Sequence, residues 1–151
     1  MPPYFENFGK RVIKSPKYYF TDTGLLSYLL DIEKESQLHR DPLIGNLFEN
    51  LVVLECLKNR FNASLKPNLY FFRDSQGNEI DLMYKSGNEL TGIEIKSART
   101  FSSHFKKPLE KFSNTNQNLA RRIIVYSGEE RQMSDQFEII NFRNCSSFVS
   151  N

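Results

Sequence analysis

An α/β fold, a mixed β-sheet flanked by helices, is what the order of hydrophobic patterns predicts. Three observations carry it. Leucines at positions 43, 47, 51, 54 and 57 recur at three-to-four spacing and mark one long helix. Three period-two segments rich in β-formers then follow one another between residues 69 and 97. A continuous apolar run, Ile123-Ile124-Val125, comes after a further helical stretch and reads as a strand buried on both faces.

Taken in order, residues 1–24 are aromatic and basic, with Val12-Ile13 and Tyr18-Tyr19-Phe20 expected as short strands separated by Ser15-Pro16. Such a piece is too small to fold alone, so it is expected to be the end of a preceding domain or a hairpin packed on residues 25–151. Thr21-Asp22-Thr23-Gly24 supplies a turn and cap for a short helix carrying Leu25, Leu26, Leu29 and Leu30. Residues 32–41 are polar and expected as a loop. Asp41-Pro42 opens the long helix, which runs to about Asn59. Strands are expected at 69–73, 79–85 and 90–97, joined by turns at 74–78 and 86–89, then a helix within 103–118 and strands at 122–126 and 136–140.

Composition narrows the function classes. The 151 residues carry 20 Lys plus Arg against 18 Asp plus Glu, a net charge of +2 that neither demands nor forbids a nucleic-acid partner. The charge is uneven, however. Lys10, Arg11, Lys14 and Lys17 fall in one stretch with no acid, and six basic residues between Arg99 and Arg122 face Glu110 alone. With two cysteines and two histidines there is no disulfide framework and almost no material for a Cys/His zinc site. A reducing cytoplasm is therefore expected. No apolar run approaches a membrane span, and no dinucleotide-binding glycine motif occurs.

The segment 79–97 is the informative one. A two-residue turn at Gly87-Asn88 places Asp81 opposite Glu94 and Glu79 opposite Lys96. Alternation then puts these four on one face, with Ile80, Leu82, Ile93 and Ile95 on the other. Two carboxylates directly opposed repel each other, and a divalent cation between them would remove the cost. Mg is bound through one or two carboxylates while keeping its waters, so the pair suffices. Lys96 stands where its ammonium could polarise a water or balance developing charge. In the long helix, Glu49 has no cationic partner within helical reach, which points to a cation or water shared with the hairpin. The bland alternative is an exposed polar face in which Lys96 pairs with Glu79.

Glu49 on a helix, Asp81 in Gly77-Asn78-Glu79-Ile80-Asp81, and Ile93-Glu94-Ile95-Lys96 together resemble the PD-(D/E)XK nuclease superfamily, with Ile80 where its name motif has proline. The resemblance implies a restriction endonuclease-like core in which Asp81 and Glu94 bind Mg or Mn, Lys96 assists the attacking water and Glu49 is an accessory ligand. Lys14-Ser15-Pro16-Lys17-Tyr18-Tyr19-Phe20-Thr21-Asp22-Thr23-Gly24-Leu25, Gly45-Asn46-Leu47-Phe48-Glu49-Asn50, Tyr70-Phe71-Phe72-Arg73 and Glu94-Ile95-Lys96-Ser97 are similar to the uncharacterised C-terminal domain of prokaryotic AAA-family ATPases. That implies an N-terminal ATPase module binding ATP, preceding this chain through a winged-helix linker that ends near residue 24. No phosphate-binding loop occurs here. Two functions stay open: Mg-dependent phosphodiester hydrolysis of DNA, or an inactive nuclease-like module for DNA binding, partner docking or assembly into a homo-oligomer. In either, Lys10, Arg11, Lys14 and Lys17 are the expected nucleic-acid contacts.

Overall fold

The computed structural model describes residues 1–4, 15–38, 40–115, 119–130 and 136–149. Five strands form one mixed sheet: β1 (Leu69–Arg73), β2 (Glu79–Ser86), β3 (Glu89–Lys96), β4 (Arg121–Tyr126) and β5 (Glu138–Asn141), in that spatial order. β1, β2 and β3 are antiparallel neighbours, whereas β4 and β5 run parallel to β3. Helices α1 (Thr23–Leu29), α2 (Glu35–Leu38), α3 (Ile44–Asn62) and α4 (Lys107–Thr115) complete the α/β architecture, with 3-10 helices at Ser103–Lys106 and Phe142–Val149.

Two cores sandwich the sheet. On one face Phe48, Val52, Val53 and Cys56 of α3 pack with Leu82, Tyr84, Ile93, Ile95, Ile123 and Val125, closed by Cys145, Phe148 and Val149. On the other, Leu109 and Phe112 of α4 meet Phe72, Ile80, Met83, Ile124 and Tyr126. Each such side chain taken fully out of water contributes about 1.5–3 kcal/mol, so the two layers hold α3 and α4 against the strands. Gly92 lets α4 come close, since a Cβ there would meet Leu119 and Leu109 carbons at 2.6 and 2.8 Å.

The β2–β3 ladder runs from Ser86↔Glu89 to Leu82↔Ile93, the register that the Gly87-Asn88 turn predicts. Only Gly87 of the two central residues has a positive φ, at 58°, which is the type II′ pattern. Between Tyr70↔Met83 and Phe72↔Ile80, two residues of β2, Asp81 and Leu82, oppose Phe71 alone. This β-bulge shifts the alternation: Ile80 joins the α4 core while Leu82 faces α3. The expectation that Ile80 shares a face with Leu82, Ile93 and Ile95 therefore fails at the bulge.

Other expectations are corrected in smaller ways. Tyr18-Tyr19-Phe20 is not a strand; it has no regular secondary structure and is tied to α3 by bonds to Glu49 and Asn50. Val12-Ile13 lies outside the described residues, as do Lys10, Arg11 and Lys14. The stretch 32–41 contains α2 rather than loop alone, begun where the Gln37 side chain accepts from the backbone N–H groups of Glu33 and Lys34. The helix expected within 103–118 begins as a 3-10 turn capped by Ser102 before α4. The helix Phe142–Val149 was not expected; Phe142, Cys145 and Phe148, which pack on the core, recur every third residue, a 3-10 spacing that α-helical and strand templates pass over.

Candidate functional site

Residues 17–20 lie over the α3 side of a cleft of about 860 Å³, whose lining includes Glu49, Glu79, Asp81 and Glu94 together with Lys17, Arg73, Lys107 and Lys111. The cleft lies where the β2–β3 ladder stops. Beyond Leu82↔Ile93 the Ile95 N–H donates to Asp81 Oδ2 at 2.9 Å, so a side chain takes the place that a backbone carbonyl would fill. The bulge at Asp81–Leu82 supplies the local change of direction.

Lys96 Nζ contacts both Glu94 Oε1 and, at 3.5 Å, Asp81 Oδ2. The Glu94 side chain is only 4% exposed, and its second oxygen, Oε2, is buried with no hydrogen-bond partner. Burial, reinforced by the Asp81 charge, pushes the Glu94 carboxyl up to about 8 against the pull of Lys96. Burial also raises Asp81, with Glu49 adding to the effect and Lys96 opposing it. Lys96 itself is held above its usual range because the two carboxylates outweigh its own desolvation.

Glu49 is committed elsewhere. Its Oε1 accepts from Lys17 Nζ at 2.9 Å and from Tyr19 Oη at 2.6 Å. Lys17 Nζ also contacts Glu79 Oε1, and Glu79 Oε2 accepts from Arg73 Nε at 2.7 Å. Burial works to raise Glu79, but the bonds from Arg73 and Lys17 win and hold it below the usual carboxylate range. Burial and the Glu49 charge push the Tyr19 hydroxyl well up, so it stays a donor. The buried Asn50, next to Glu49 on α3, clamps the Phe20 backbone through both amide atoms, accepting from its N–H at 2.8 Å and donating to its carbonyl at 3.0 Å.

The structure thus brings Asp81, Glu94 and Lys96 together, and sets Glu49 near enough for its charge to act on Asp81 while its bonded partners are Lys17 and Tyr19. Glu79 pairs with Lys17 and Arg73, and Lys96 with Asp81 and Glu94, so the bland Glu79–Lys96 pairing is replaced. Among the described residues no group of three or more His, Cys, Asp or Glu is gathered to hold a metal ion by itself. Two carboxylates with a buried unpartnered oxygen suit a hard ion that retains waters, so Mg or Mn fits this donor set where zinc does not. Arg73 and Asn50 were missed from sequence, as was the inward bond from Tyr19 to Glu49. The alternation of Lys17 and Tyr19 with Tyr18 and Phe20, and an asparagine set in an apolar helical stripe, were the available signals.

The family described as Domain of unknown function (DUF4143) matches residues 44–145, and Domain of unknown function (DUF8612) matches residues 1–36. An uncharacterized protein of Mycobacterium bovis and one of Mycobacterium tuberculosis are each 38% identical to the chain over 132 residues, 87% of its length. The chain spans 28% of the length of these curated relatives. Among the described residues no helix is long and apolar enough to cross a membrane.

Proposed function

The chain belongs to the DUF4143 family, and from that premise we propose that its carboxylate–lysine site hydrolyses phosphodiester bonds of nucleic acid with Mg or Mn. In this reading the domain has a restriction endonuclease-like core and works at the C-terminal end of an AAA-family ATPase. The observation that carries it is the buried, unpartnered Glu94 Oε2 beside the Asp81 carboxylate in an open cleft. A buried carboxyl in that state is short of a partner and hard to ionise, and a divalent ion would stabilise its charged form.

Asp81 and Glu94 would hold the ion, which when bound supplies a lowered water pKa and charge neutralisation at the phosphate. Asp81 is held by the Ile95 N–H, so one of its oxygens is oriented before any ligand arrives. Lys96 Nζ, between the two carboxylates, is the donor available to the attacking water and to the developing negative charge. Glu49 acts through its charge on Asp81.

The test is cleavage of labelled DNA with Mg or Mn by the chain and by its Asp81→Ala and Lys96→Ala variants. Activity in the parent, lost in both variants, supports the reading; equal background in all three removes it. A second reading has its own observation: Lys17 already sits as an internal cation between Glu49 and Glu79. A cleft built this way could serve as an inactive module for DNA binding, partner docking or assembly. Titration calorimetry with Mn separates the two. Binding abolished by Asp81→Ala supports the first, and no binding in the parent supports the second.

A further inference from the structure

The segment Lys17–Phe20 is anchored on one side and bare on the other. Lys17 and Tyr19 turn inward onto Glu49, and Asn50 grips the Phe20 backbone at both its N–H and its carbonyl. Tyr18 and Phe20, between and beyond these anchors, are 90% and 48% exposed, and both residues belong to the lining of the acidic cleft. Two aromatic rings held out in water by a buried asparagine and a half-buried ion pair serve no core. A platform fixed before binding loses little entropy when a ligand stacks on it. Lys107 and Lys111, both exposed, belong to the lining of the same cleft from α4.

We propose that this cleft takes single-stranded nucleic acid, with unpaired bases stacking on Tyr18 and Phe20 and the backbone phosphates meeting Lys107 and Lys111. The inference rests on the reading of the cleft as a phosphodiester site and names the form of its substrate. Aromatic rings reach base faces only where bases are not stacked on each other inside a duplex, and pairing such rings with lysines along a groove is the chemistry of single-strand recognition. The four carboxylates on the cleft wall do not oppose this. They meet three cations, Lys17, Arg73 and Lys96, and Lys107 and Lys111 of the same lining outweigh the one remaining negative charge.

The experiment uses the full chain carrying Asp81→Asn, in chelator, with fluorescence anisotropy as readout. The probes are labelled oligothymidylate and oligouridylate of about twelve nucleotides, within the span one small fold covers, and a duplex of equal length. Both single strands should bind more tightly than the duplex. Tyr18→Ala and Phe20→Ala should each weaken single-strand binding about tenfold, while Tyr18→Phe retains it. Lys107→Gln with Lys111→Gln should flatten the salt dependence by about two phosphate contacts. Duplex bound as tightly as single strand, or alanine variants that bind unchanged, would overturn the inference. So would an absence of nucleic-acid binding together with self-association that Tyr18→Ala abolishes, which would assign the rings to a protein interface. Mg-dependent cleavage indifferent to Tyr18 and Phe20 would leave the phosphodiesterase reading standing alone. Ring-dependent binding by a parent chain that never cleaves would leave only the single-strand site.

Discussion

Lys17 joins Glu49 to Glu79, and Lys96 joins Asp81 to Glu94, so the cleft holds two clusters of the same make-up. Each has two carboxylates and one ammonium, yet they settle differently. Around Lys17 the carboxylates gain further donors, Tyr19 on Glu49 and Arg73 on Glu79, and Glu79 is easier to ionise than a free carboxyl. Around Lys96 both carboxyls are harder to ionise, and one Glu94 oxygen is buried without a partner. Charge composition is equal; desolvation and donor count are not. A cluster whose donors are complete holds the fold together, whereas one left short of donors has room for a ligand.

The difference can be broken most forcefully at Lys96. Lys96→Met leaves the buried Glu94 carboxyl and the half-buried Asp81 facing each other and should cost about 2–4 kcal/mol in urea unfolding without metal. Added Mg should restore part of that loss if the pair binds the ion. Lys17→Met removes one donor of several, leaving Tyr19 and Arg73 in place, and should cost less, about 1–3 kcal/mol, with no recovery on adding Mg. Equal costs and equal Mg response in the two variants would erase the distinction drawn between the clusters.

Titration sharpens the comparison further. The folded chain keeps a proton on Glu94 up to about 8, whereas the unfolded chain releases it near 4.5. The contribution of Glu94 is therefore fully present below about 4.5 and is lost as pH rises through about 8. Unfolding midpoints measured without metal should fall across that window, and Glu94→Gln should flatten the fall and be the more stable protein above it. Glu79 shifts the other way, so its contribution is present above the ordinary carboxyl range and is lost as pH falls through its depressed value. Glu79→Gln should remove that acid-side sensitivity. The smallest effect is expected at the exposed Lys58–Glu55 pair of α3, where Lys58→Ala should change stability by about 0.5 kcal/mol or less.

Much of the sheet was legible along the chain. Period-two segments, the Gly87-Asn88 turn and the apolar run at 123–125 lead to the right strands, and the turn alone sets the ladder that ends at Leu82↔Ile93. The turn also directs Asp81 and Glu94 toward one another one step beyond the last paired residues, because hairpin register depends on residues only a few positions apart. The bulge was not legible. It arises in the pairing of β2 with β1, where Phe71 faces two residues, and neither strand alone reports it. Glu49 shows the same limit. Its lack of a partner within the helix was readable and pointed to a cation, but that cation, Lys17, lies 32 residues away in a basic stretch read as a nucleic-acid contact.

Sequence by itself determined the order of α1, α3, α4 and the five strands, the hairpin register, and the placing of acids and lysines on neighbouring turns and strands. Those follow from backbone sterics and side-chain periodicity, which act within a few residues. Tertiary structure alone decided which lysine answers which carboxylate, and which oxygen is left buried without a donor. That outcome is a balance between desolvation and Coulomb attraction, two large terms whose difference depends on how segments far apart in the chain are packed.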